Sequence, residues 1–135
     1  RSTLFPYTTL FRSLELVSGA PSVTLWGTGT PRREFLYVDD LADACLFLME
    51  RYDGPDIVNI GTGEDLTIRE LAERVRGAVG YGGELAWDVA RPDGTPRKLL
   101  DVSFLHGLGW RHTVELDEGL RRTYAAFLSG RQRDF

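Results

Sequence analysis

Short runs of β-branched and aromatic residues alternate in this chain with segments of helical periodicity, and glycine or proline clusters separate them. That rhythm restricts the fold to a layered α/β arrangement, because period-two and period-3.6 segments bury different kinds of face. Val23 to Trp26 reads as a strand that stops at Gly27-Thr28-Gly29-Thr30-Pro31. Glu34 to Val38 is a second brief extended segment. Asp39-Asp40 is then expected to cap a helix, with Leu41, Ala44, Cys45, Leu48 and Met49 at helical spacing on its apolar side. This helix ends near Asp53-Gly54-Pro55.

Asp56 to Ile60 is expected to be a strand closed by Gly61-Thr62-Gly63. Thr67 opens the next helix with Glu70 three residues on, the pattern of a capping box. Leu71, Val75, Ala78 and Val79 supply its apolar face, and the glycines from Gly80 to Gly83 terminate it before a strand at Glu84 to Val89. Arg91 to Lys98 holds too many turn formers for either regular element. Ser103 to Leu108 predicts a short helical turn. Leu116 to Leu128 predicts a last helix that buries Leu120, Tyr124, Phe127 and Leu128. The expectation is α/β, with short strands alternating with about three main helices.

Composition removes several function classes. The chain has 135 residues, 42% of them hydrophobic, enough for one modest core. A net charge of -4 gives no electrostatic footprint for nucleic acid. Its apolar runs fall short of the roughly 20 residues that a membrane-spanning helix needs. The single cysteine, Cys45, cannot close an internal disulfide, and the spacing of Cys and His offers no metal site. A reducing, cytoplasmic compartment fits that usage. Residues 1–13 stand apart: Thr3 to Ser13 resembles the in-frame translation of a sequencing adapter, although a true amino-terminal strand is the other reading. We take 1–13 as artefactual and 14–135 as the domain proper.

Two loops concentrate the residues that could hold an anionic ligand. Trp26 and the pair Arg32-Arg33 flank a glycine-containing turn, so that an aromatic plane and guanidinium forks could meet a base and a diphosphate. Arg91 to Lys98 adds three cationic side chains and Asp93 in a single loop. Convergent cations stabilise a diphosphate at about 1.5 to 3 kcal/mol per charge-assisted contact. A surface tryptophan among solvated arginines, and a solvated basic loop, fit the same residues.

Trp26 to Asp40, Asn59 to Arg69 and Arg91 to Trp110 together resemble the GDP-L-fucose synthases, in order and at similar spacing. The most specific part is Pro92-Asp93-Gly94-Thr95-Pro96-Arg97-Lys98. Arg33-Glu34-Phe35, Val38-Asp39-Asp40 and the turn from Asn59 to Gly63 are shared more widely among extended short-chain dehydrogenase/reductases. The resemblance implies the carboxy-terminal, substrate-binding part of an extended Rossmann-type reductase. Such enzymes epimerise two ring carbons of GDP-4-keto-6-deoxy-mannose and then reduce the ketone with NADPH, giving GDP-L-fucose. It further implies substrate contacts at Trp26, Arg33 and Lys98, with Arg33 and Lys98 on the diphosphate. Asp93 is a fourth, through hydrogen bonds to substrate or to its own loop.

Arg32 is assigned to solvent, and no chemistry is attached to Tyr37, which stands where a histidine is frequent. Catalytic and cofactor-binding residues are expected outside this chain. Gly61-Thr62-Gly63 lacks the spaced third glycine of a dinucleotide turn, and no tyrosine has a lysine four residues on. Cys45 is expected to be a buried, inert thiol, and His106 and His112 to be structural. The whole enzyme is expected to be a homodimer through its other half. Two alternatives stay open: another nucleotide-sugar epimerase or dehydratase, and a stand-alone anion-binding or interaction module.

Overall fold

The computed structural model describes residues 19–129, so the adapter-like segment 1–13 and the proposed start at Leu14 lie outside the described residues. Five strands and four helices follow in order: β1 (Ser22–Trp26), β2 (Arg32–Glu34), α1 (Val38–Arg51), β3 (Asp65–Thr67), α2 (Ile68–Val79), β4 (Glu84–Asp88), β5 (Arg97–Lys98), α3 (Ser103–Gly107) and α4 (Leu116–Leu128). The fold is α/β, and α1, α2 and α4 are its three long helices.

β1 and β4 pair in parallel, Ser22 opposite Glu84 through Trp26 opposite Asp88. The other sheet has the order β3-β2-β5, antiparallel between β2 and β3 and parallel between β2 and β5. Each sheet therefore joins segments far apart in sequence, and β2 carries the loop after β1 to the loop after β4.

The capping box forms as its spacing predicts. The Thr67 hydroxyl accepts from the Glu70 N–H at 3.1 Å, and the Glu70 carboxylate accepts from the Thr67 N–H at 2.8 Å. At the other end of α2, Gly80 takes φ 70°, a left-handed cap that costs glycine little. Leu71 and Val75 bury fully and meet Val23 of β1 and Leu120 of α4, so α2 is clasped between sheet and helix. A second core gathers Ala44, Leu105 and Trp110, and the Trp110 Nε1–H donates to Asp43 at 2.8 Å.

Five sequence expectations need correction. Asp39 and Asp40 do not cap α1: the N-cap is Tyr37, whose side chain makes no capping bond, and both aspartates sit in the first turn. Asp40 is buried and turned across the fold to the segment before α4. Its carboxylate accepts from the Thr113 N–H and hydroxyl at 3.2 and 2.8 Å and from the Val114 N–H at 3.0 Å. Asp56 to Ile60 forms no ladder. Val58 and Ile60 pack on the second core while Ile57 is 96% exposed, so the period-two pattern is present, but no strand among the described residues pairs with it.

The buried stripe of α1 is Asp40, Ala44, Phe47 and Leu48, rotated from the expected one. Cys45 is exposed, and Met49 is 81% exposed. Leu128 is also exposed, one turn past the contacts of Leu120 and Tyr124. Arg97 and Lys98, read as loop, pair with β2; a two-residue strand is too short to show a period in sequence.

Candidate functional site

The loop after β1 and the loop after β4 lie against each other. Gly27 adopts φ 81°, and a Cβ there would collide with the Asp93 carboxylate, so only glycine admits both the turn and the approach. Asp93 accepts from the Thr28 N–H at 2.9 Å and from the Thr28 hydroxyl at 2.6 Å. The hydroxyl contact first, and then the amide, hold its carboxyl below the usual carboxylate range. Next to it, Gly94 approaches Arg33: a Cβ on Gly94 would sit 3.2 Å from an Arg33 terminal nitrogen. The 91–98 loop thus runs from the Trp26 turn to β2.

Trp26 is 69% exposed, and the Arg91 guanidinium covers its ring at 4.7 Å from the centroid. Arg91 is steadied there by Asp88, the register partner of Trp26, at 3.6 Å. Arg69 stacks on Trp87 at 4.4 Å and donates to the Thr28 carbonyl at 2.6 Å, which fixes the turn from below.

On β2 and β5, Arg33 lies directly opposite Lys98. They line a cleft of about 440 Å³ with Glu34, Leu99 and Leu100. Among the described residues, neither cation is ion-paired with a carboxylate. Arg33 donates one terminal N–H to the Arg32 carbonyl at 2.6 Å. Glu34 forms no ion pair with either of them: its carboxylate accepts from the N–H groups of Thr62, Gly63 and Leu100 at 2.5, 2.6 and 3.0 Å. Gly61-Thr62-Gly63 is thus a turn wrapped on a carboxylate, and a Cβ at Gly61 would meet that same group.

The structure brings Arg33 and Lys98 together, and sets Trp26 and Asp93 in touching loops joined to them through Gly94. Arg32 is not left to solvent. Its Nε donates to Asp65 at 2.8 Å, and a second N–H reaches the Asp65 carbonyl at 2.9 Å. His106 and His112 line a neighbouring open cleft, which shares Leu100 as a wall. The Arg111 guanidinium donates to His106 Nδ1 at 2.8 Å, which makes that nitrogen the acceptor and Nε2 the protonated one.

Sequence reading missed Asp65, Glu34 and Thr28. Asp65 and Glu34 lie in three-residue strands and Thr28 in the turn between β1 and β2, and only the spacing of Asp65 just before the capping box marks where it stands.

Parallel pairing of β1 and β4, glycine turns at the strand ends and cations gathered at the neighbouring sheet suit the grip on a nucleotide's phosphates. Residues 5–61 match the profile of the NAD dependent epimerase/dehydratase family. It is 59% identical over 112 residues to GDP-L-fucose synthase 1 of Arabidopsis thaliana, a match that covers 83% of this chain and 35% of that protein. With GDP-L-fucose synthase of Escherichia coli (strain K12) it shares 50% identity over 123 residues, covering 84% and 38%. Among solved structures, a GDP-mannoheptose C4 reductase from Campylobacter jejuni with NADP bound superposes with a TM-score of 0.80 at 35% identity. That match covers 90% of this chain and 44% of the reductase. The chain therefore spans little more than a third of the length of these curated relatives.

Proposed function

We propose that residues 14–135 form the nucleotide-sugar-binding part of a GDP-L-fucose synthase. The intact enzyme converts GDP-4-keto-6-deoxy-mannose to GDP-L-fucose by epimerisation and NADPH-dependent reduction. The observation that carries this reading is the pairing of Arg33 with Lys98 across β2 and β5, both without a carboxylate partner among the described residues. Two adjacent cations on rigid strands suit the two phosphates of a GDP-sugar, because a bidentate guanidinium and an ammonium give charge-assisted contacts without reorganisation.

Trp26 offers an exposed ring for the ligand's base or sugar, steadied by Arg91. Asp93 shapes the turn that presents Trp26, since Thr28 occupies both of its oxygens. Cofactor and catalytic groups belong to the portion of the enzyme that this chain does not span, as does the pairing into a homodimer. A cytoplasmic enzyme fits a chain in which no described helix is long and apolar enough to cross a membrane.

Calorimetric titration of GDP into the 135-residue chain tests this, beside the double variant Arg33→Ala/Lys98→Ala, with UDP as the competing base. Submillimolar to millimolar affinity is expected, roughly 4 to 6 kcal/mol, and it is lost in the variant. Absence of GDP binding by the folded chain would sink the reading. Equal affinity for UDP would move it to another nucleotide sugar.

A further inference from the structure

Four cations stand in two ranks on β2 and β5: Arg32 opposite Arg97, and Arg33 opposite Lys98. Such a block repels itself, and β5 is only two residues long, so the parallel pairing needs a tie beyond its own ladder. Asp65 on β3 supplies it. One carboxylate oxygen accepts from Arg32 Nε at 2.8 Å and the other from Arg97 Nε at 2.5 Å. The side chain is 4% exposed, whereas those of Arg32 and Arg97 are well exposed. The Arg97 contact first, and then Arg32, hold the carboxyl below the usual range, so at neutral pH it is ionised and bridges both. Successive side chains in a strand point to opposite faces. The bridge therefore ties down the Arg32-Arg97 rank, offsetting one of its two charges, and leaves the Arg33-Lys98 rank for an incoming anion.

We propose that Asp65 is a positioning residue for ligand binding: it fixes the β2–β5 register and sorts the four cations, so that Arg33 and Lys98 face a diphosphate side by side. The ligand half of this proposal rests on the function proposed above; the register half does not.

The test uses Asp65→Asn in the 135-residue chain, with two readouts. The first needs no ligand. The Arg32 N–H donates to the Pro96 carbonyl at 2.8 Å and reports the register directly by amide exchange. Faster exchange at Arg32, with the α2 amides unchanged, is expected; an unchanged rate at Arg32 overturns the proposal whether or not GDP binds. The second is a GDP titration through the cycle wild type, Asp65→Asn, Lys98→Ala and the double variant. Asp65→Asn is expected to weaken GDP about fivefold or more, and the double variant to bind no worse than Lys98→Ala alone, because the two act through one contact. Additive losses would mark a general destabilisation and overturn the positioning role. Where Asp65→Asn loses its fold, Arg97→Gln carries both readouts from an exposed position, and wild-type exchange and affinity in that variant overturn the proposal equally.

Discussion

Replacing Asp40 tests how the two ends of this fold are joined. The Asp40 carboxylate lies in the first turn of α1, is 5% exposed, and accepts three hydrogen bonds from Thr113 and Val114, just ahead of α4. Asp40→Ala leaves two backbone N–H groups without an acceptor, while the Thr113 hydroxyl can turn elsewhere. At about 1 to 3 kcal/mol per orphaned donor, less what is regained by no longer burying a charge, the loss comes to about 2 to 5 kcal/mol. Asp40→Asn keeps one acceptor oxygen, and its cost falls to about 1 to 3 kcal/mol.

Urea denaturation followed by circular dichroism measures both, with an unchanged slope required so that the midpoint reports stability alone. The pH dependence gives a second handle on the same residue. Burial pushes the Asp40 carboxyl up, but the bonds from Val114 and Thr113 outweigh it and leave it below the ordinary 3.8. A group depressed in the folded state contributes stability that is fully present above its unfolded value and is lost as pH falls through the folded one. The gap between wild type and Asp40→Asn is therefore widest at neutral pH and narrows below about 3.8. An Asp40→Ala chain that unfolds at the wild-type midpoint would refute the tie. A gap as wide at pH 3 as at pH 7 would refute its electrostatic part.

Two further perturbations probe the elements that hold the site's scaffold. Thr67→Ala removes the N-cap of α2 and should cost about 0.5 to 2 kcal/mol by the same denaturation assay, with the first-turn amides of α2 exchanging faster. Equal protection there would mean that packing of Leu71 alone defines the helix start. Leu105→Ala opens the second core at a fully buried position and should cost about 2 to 5 kcal/mol. Red-shifted tryptophan emission is expected with it, as Trp110 loses its neighbour; an unshifted spectrum with full stability would argue that the two residues do not share one core.

The long helices were legible because a 3.6-residue period accumulates over the 12 to 14 residues of α1, α2 and α4. What the period does not reveal is which of two overlapping stripes is covered. On α1, Leu41, Cys45 and Met49 form one stripe, and Ala44, Phe47 and Leu48 form another. The covered one carries Asp40, a residue that pattern reading places outside, because the donors that satisfy it come from more than seventy residues away. Strands of two or three residues have no period at all, so β2, β3 and β5 could be found only through their partners.

The site shows the same division between residue type and placement. The kinds of residue at Trp26, Arg33, Asp93 and Lys98 could be read, because loops dense in cations and glycine are unusual. Their separation from neighbours of the same kind could not. Arg32 and Arg33 are adjacent and chemically identical, yet one is held by a buried carboxylate while the other lines an open cleft. The pleat sends them to opposite faces, and Asp65, 33 residues from Arg32, decides on which face the cations are tied to a carboxylate. A count of charges in a loop therefore overstates its capacity for anions until the carboxylate that answers part of it has been located, and locating it requires the strand register.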